Sequence, residues 1–224
     1  MPSPAEIEPP PWLQFVRRNI WILAGLLGIV TLTVIRPFTR HVPEAPPVLF
    51  KLPKYELVDH RQEPFTPETL RGKVWVAGFV FTTCPSTCPV VTQAMSDLRA
   101  RMDKMSLDVE MVTFTVDPAT DTPAVLAEYA STVGVNTDKW RFVTGEPKDV
   151  ISLVREGFQL GVGEREADAD GVAYDIAHST KLALVGPEGG VRGYYGIEAD
   201  EGLDEIFHRA EHILRDMRRA EGKR

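Results

Sequence analysis

The chain has 224 residues, with 25 Lys and Arg against 32 Asp and Glu, for a formal net charge of −7. That length suits one domain of ordinary size with appendages. The acidic balance, without a basic stripe carrying interleaved aromatics, argues against a nucleic-acid partner. The two cysteines are too few and too close together for a disulfide-stapled scaffold, and no internal repeat is visible.

Residues 1–18 are Pro-rich and acidic ahead of the pair Arg17-Arg18, and they lack the Arg/Ser-rich, acid-poor character of a transit peptide. An uncharged apolar run follows from Ile20 to Ile35. As a helix it spans about 24 Å, against roughly 30 Å of hydrocarbon core. Arg17, Arg18 and Arg36 can snorkel to cover the shortfall. No A-x-A cleavage pattern follows, so the run reads as an uncleaved single-pass anchor over residues 19–36. Arg17 and Arg18 place the short tail 1–18 in the cytoplasm, a bias that Arg36 and Arg40 weaken. Trp12 and Trp21 fit an interfacial position. Residues 37–53, with prolines at 37, 43, 46, 47 and 53, read as a stiff extended spacer.

The globular part is expected over 54–220. Tyr55–Val58 and the segment around Phe65 suggest a short hairpin. Val74–Phe81 is a buried strand by its β-branched and aromatic content. Helical spacing of Val90, Val91, Met95, Leu98 and Met102 predicts a helix to about Met105. Val109–Val116 is a strand ended by Asp117-Pro118. Thr122-Pro123 opens a helix to about Val133. Trp140–Val143 is a short strand, and Pro147 opens a helix to about Phe158. Residues 161–171 are charged and irregular, and read as an exposed hairpin or loop. Lys181–Val185 and Val191–Tyr195 form a hairpin across Gly186-Pro187-Glu188-Gly189-Gly190. The last helix runs from about Asp200 to Arg219. Strands alternating with helices indicate an α/β sheet flanked by helices, with Trp75 and Trp140 in its core.

Both cysteines lie in Phe81-Thr82-Thr83-Cys84-Pro85-Ser86-Thr87-Cys88-Pro89, where a strand hands over to a helix. In a helix, positions i and i+4 share a face, so Cys84 and Cys88 can point their sulfurs at one spot. Amide N–H groups and the helix dipole favour a thiolate there. Such a pair serves as a structural disulfide, a redox couple or a soft-metal site, and the strand–turn–helix setting favours a working role.

The chain resembles the Sco/SenC family of copper chaperones for cytochrome c oxidase. The resemblance is carried by Gly78-Phe79 leading into Cys84-Pro85-Ser86-Thr87-Cys88-Pro89, by Val116-Asp117-Pro118 with Asp121-Thr122-Pro123, by Asp175 and His178, and by Leu184-Val185-Gly186-Pro187-Glu188-Gly189. It implies a thioredoxin-like fold behind one transmembrane helix, and one copper ion, Cu(I) or Cu(II), bound by Cys84, Cys88 and His178. His178 falls in a loop that in this fold lies against the cysteine helix. Asp175 and Asp117 become candidates to orient His178, as metal-bound histidines usually require. The implied recipient is the binuclear copper centre of cytochrome c oxidase subunit II. The donor would be another periplasmic copper carrier, and a thioredoxin-like protein a reductant. The domain would then sit on the periplasmic side of a bacterial inner membrane. Such a protein is a metallochaperone rather than an enzyme. The rival reading is a thiol–disulfide oxidoreductase, reducing the recipient's cysteines or serving redox signalling, with Cys84 attacking and a redox-active Cys84–Cys88 disulfide. His208 and His212 share a helical face, but among Arg209, Glu211 and Arg215 they read as a solvated surface. His41 and His60 lack a partner at ligand spacing.

Overall fold

The computed structural model describes residues 10–39, 45–161, 180–198 and 200–222. The chain divides into two compact units, residues 1–43 and 44–224.

In the first unit, α1 runs Pro11–Thr39 and bends at Asn19, whose φ of −111° and ψ of 15° leave the helical region. Asn19 Nδ2 donates to the Phe15 carbonyl at 2.9 Å, the side-chain competition with backbone that bends helices. Trp12, Trp21, Ile22, Leu27 and Ile29 are exposed. Among the described residues no helix is long and apolar enough to cross a membrane. The side chains of residues 32–36, within the run read as an anchor, lie outside those described.

The second unit is built on eight strands. In chain order they are β1 (Phe50–Lys51), β2 (Leu57–Asp59), β3 (Pro64–Phe65), β4 (Val74–Val80), β5 (Val109–Thr115), β6 (Trp140–Thr144), β7 (Lys181–Val185) and β8 (Gly190–Gly196). Helices α2 (Thr87–Lys104), α3 (Pro123–Thr132), α4 (Pro147–Ser152) and α5 (Asp200–Glu221) connect or follow them. The sheet order is β1-β8-β7-β4-β5-β6-β2-β3. β4, β5 and β6 are parallel neighbours, and the remaining pairings are antiparallel.

β4 and β5 are buried at every position, as strands covered on both faces must be. On one face, Trp75, Phe79, Phe114 and Phe158 form an aromatic cluster, with Phe79 and Phe158 centroids 5.0 Å apart. On the other, α2 lies so close over β4 that a Cβ on Gly78 would stand 2.3 Å from Met95 Sδ. Glycine is what admits that approach. Thr113 donates to the same sulfur at 3.7 Å, and Trp140 Nε1 donates to Thr113 at 2.8 Å. α5 packs beside α2, where Arg101 pairs with Asp204 and stacks 4.1 Å above Phe207.

Two elements differ from the sequence reading. The domain reaches back through the Pro-rich stretch to residue 45. Pro46 is buried and accepts from Arg192 Nη1 at 2.6 Å, Leu49 N–H bonds to Val191 O at 2.8 Å, and β1 pairs with β8. Proline content alone could not reveal that an open strand edge waits to pair with it. Second, α4 ends at Ser152 and passes into a π-turn over Leu153–Gly157, with Phe158 N–H bonded to Leu153 O at 2.9 Å. The wider turn delivers Phe158, fully buried, into the aromatic cluster. The expected loop 161–171 lies outside the described residues beyond 161.

Candidate metal centre

β4 ends at Val80, and Phe81 stays buried beneath the turn that follows. Cys84 N–H closes that turn on Phe81 O at 3.2 Å. Sequence spacing places both cysteines on the helix, but α2 begins only at Thr87, so Cys84 precedes it and Cys88 sits in its first turn. The reason is local. Ser86, the residue before the helix, has φ −124° and ψ −69° and makes no side-chain cap. The Cys84 sulfur takes that place, with Sγ accepting the Cys88 N–H at 3.3 Å. Cys88 Sγ in turn accepts the Phe81 N–H at 3.4 Å. Each sulfur is therefore tied to the backbone beside its partner.

Both thiols are free and buried, yet their chemistry diverges. Burial works to raise the Cys84 thiol, but the amides of Cys88, Ser86 and Thr87 and the Cys88 thiol together outweigh it and hold Cys84 below the ordinary value. Burial pushes Cys88 up to about 12, against the Phe81 amide and reinforced by Cys84 and Asp121. Cys84 is thus the more acidic thiol and Cys88 the retained proton.

Near the pair stand Asp117, a candidate from the sequence to orient His178, and two side chains that the sequence reading gave no role, Asp121 and Tyr129. Asp121, fully buried, accepts from Thr82 and Thr115, and burial raises its carboxyl. Tyr129 OH lies 2.9 Å from Thr92 Oγ1, one helical turn beyond Cys88, close enough to feel both thiols and Asp121 electrostatically. Asp117 ends up buried just after β5, and its Oδ2 has no hydrogen-bond partner among the described residues. Asp121 was visible only as part of an Asp-Thr-Pro helix start, where an exposed cap is the ordinary expectation.

His178 and Asp175 lie outside the described residues. His60 Nδ1 accepts the Phe142 N–H at 3.2 Å, a structural bond. His208 is exposed beside Glu211, and His212 is half-buried on the same helix. Among the described residues no group of three or more His, Cys, Asp or Glu side chains converges to hold a metal. Two adjacent sulfurs at a helix start nonetheless make a donor pair suited to a soft ion such as Cu(I).

The pattern described as SCO1/SenC matches residues 48–214, most of the chain. The chain belongs to the SCO1/SenC family. A putative copper-binding protein of Stutzerimonas stutzeri is 32% identical over 213 residues, covering 93% of this chain and 100% of the relative. A SCO1/SenC family lipoprotein from Bacillus anthracis superposes with a TM-score of 0.67 at 26% identity, over 77% of this chain and 99% of that one. BsSco, described through a disulfide switch and as a member of the Sco family of cytochrome c oxidase assembly proteins, gives 0.64 at 27%, over 75% and 98%. Copper-bound yeast Sco1 gives 0.58 at 27%, over 73% and 87%. The mixed sheet with its flanking helices is accordingly the thioredoxin-like Sco fold. Sco proteins handle copper for cytochrome c oxidase.

Proposed function

We propose that this chain is a membrane-anchored copper chaperone that delivers one copper ion to the binuclear centre of cytochrome c oxidase subunit II, using Cys84, Cys88 and His178. The observation that carries this reading is the interlocked sulfur pair at the start of α2, with Cys84 Sγ on the Cys88 amide and Cys88 Sγ on the Phe81 amide. The names of the Stutzerimonas relative and of copper-bound yeast Sco1 support copper as the cargo. Two thiolates and one imidazole form a soft, low-coordinate set that suits Cu(I), and with both thiolates ionised it balances the charge of Cu(II). An incoming thiolate can then displace one ligand at a time, which is the logic of a carrier. The buried Oδ2 of Asp117, unpartnered among the described residues, makes it a candidate acceptor to orient His178, with Asp175 the other candidate. The exposed apolar residues of α1 support an anchor, with the N-terminus cytoplasmic and the domain periplasmic, where subunit II, a donor carrier and a thioredoxin-like reductant are the expected partners.

A second reading has its own observation. The split between an acidified Cys84 and a proton-retaining Cys88 is what a thiol–disulfide oxidoreductase needs, one attacking thiolate and one resolving thiol. Copper titration of the reduced full-length chain separates the two. Chaperoning predicts one copper per chain, abolished by Cys84→Ser or Cys88→Ser and weakened at least tenfold by His178→Ala. Undiminished affinity in His178→Ala sinks the three-ligand site and favours the oxidoreductase.

A further inference from the structure

Asp121 stands fully buried where the loops after β4 and β5 meet the start of α3. Its carboxylate accepts the Thr82 backbone N–H at 3.1 Å and the hydroxyls of Thr82 and Thr115. Thr115 Oγ1 accepts the Asp117 N–H at 3.0 Å, and the Asp121 N–H itself bonds to Asp117 O at 2.9 Å. The carboxylate therefore ties the loop after β5 to the loop after β4. Thr82 lies inside the turn that Cys84 N–H closes on Phe81 O. Hydrogen bonds to a charged acceptor are stronger than neutral ones, and a carboxylate buried this deeply is tolerated only with its donors held in place. Nothing in copper ligation requires it, since it bonds to neither sulfur.

We infer that Asp121 is the positioning residue of the dithiol centre, pinning the Thr82–Cys84 turn and so seating Cys84 Sγ on the amide of Cys88. This deepens the proposed function, resting on it only in taking the two thiols as the working groups. Whatever they carry or reduce, the geometry of Cys84 is set from Asp121 through Thr82.

Thr82 supplies the test, because its substitutions spare the buried acid. Thr82→Val removes the hydroxyl donor at nearly constant volume, Thr82→Ser keeps it, and Asp121→Asn keeps shape while removing charge. Each is placed in the full-length chain with Cys88→Ser, which leaves Cys84 as the remaining thiol and retains the backbone amide at position 88. The readouts are the second-order rate of Cys84 alkylation by iodoacetamide at pH 7 and, beside it, the urea midpoint. Thr82→Val and Asp121→Asn are expected to slow alkylation about fivefold, the scale of one hydrogen bond, while Thr82→Ser stays within about twofold of the parent. Equal rates in Thr82→Val and Thr82→Ser overturn the inference. So does a drop in urea midpoint without a change in rate, which marks a purely structural contact. If Asp121→Asn does not fold, the Thr82 pair decides alone. A wild-type chain that binds no copper while the alkylation pattern holds removes the copper reading and leaves the positioning role standing.

Discussion

Two fully buried carboxylates, one beside the last strands of the sheet and one at its central strands, act in different ways. Where β2 meets β6, Asp59 accepts the backbone N–H groups of Arg61 and Glu63 at 2.9 and 3.0 Å and is ion-paired with Arg141. At the β4–α2 corner, Asp121 is served among the described residues by hydroxyl and amide donors rather than a cation. The compensated charge fixes the bend between β2 and β3. The uncompensated one stands beside two thiols, where its negative charge contributes to raising Cys88. A buried ion pair holds structure, and a buried carboxylate without a counter-ion tunes chemistry.

The largest expected effect breaks the structural site. Arg141→Ala strands the Asp59 carboxylate, and loss of one partner from a buried pair destabilises by about 3 kcal/mol, at the lower end of the range because Arg141 is partly exposed. Urea unfolding measures it. Copper affinity and Cys84 alkylation of the remaining folded protein should be unchanged. A matching loss of thiol reactivity would show that the two sites are coupled after all.

Next in size is a substitution at the other site. Gly78→Ala drives a methyl into Met95 Sδ, and overpacking of this kind costs about 2 kcal/mol. Because Met95 rides on α2, the strain should reach the helix start, so stability and Cys84 reactivity fall together. A double-mutant cycle checks the cause, since in a Met95→Ala background Gly78→Ala should add little further loss of either.

A third measurement sharpens the contrast within the corner by pH. Cys88 is raised in the folded state to about 12, whereas an unfolded cysteine ionises near 8.5. Its protonated form therefore favours the fold fully below about pH 8.5, and that contribution is lost as pH rises toward 12. Between pH 8 and 10.5 the wild-type chain should lose about 2 kcal/mol more than Cys88→Ser in urea unfolding. Parallel pH profiles for the two would remove the raised thiol from the account.

Much of this architecture was legible in the sequence, because its signals are local. The apolar runs at Val74–Val80 and Val109–Thr115, Thr122-Pro123 at a helix start and the Gly-rich hairpin before β8 each announce themselves without partners. The Thr122 hydroxyl accepts the Val125 N–H at 3.4 Å as a cap does. What stayed hidden depends on distant surroundings. β1 exists because β8 offers an open edge, and the π-turn because Phe158 completes an aromatic cluster. Asp121 matters because Thr82, 39 positions away, arrives beside it. Likewise the cysteine pair was legible as a motif, but its i, i+4 spacing does not disclose that Cys84 stands outside the helix as the cap. That depends on the backbone at Ser86.

The smallest expected effect concerns α5, which lies at neither end of the comparison and offers a ready false site. His208 and His212 stand at i, i+4, a spacing that binds metals when both imidazoles face one ion. Here His208 is exposed beside Glu211 at 3.8 Å. Burial and the neighbouring Arg215 hold His212 below its ordinary value. A neutral imidazole can ligate, so low basicity does not dismiss the pair. The donor set does: two nitrogens with no sulfur make a poor competitor for a soft ion against two cysteines. The double substitution His208→Ala, His212→Ala should change stability by no more than about 0.5 kcal/mol and leave copper stoichiometry and affinity at the wild-type level in a titration of the reduced chain. A drop in stoichiometry would mean that part of the copper bound by this protein never reaches the dithiol corner.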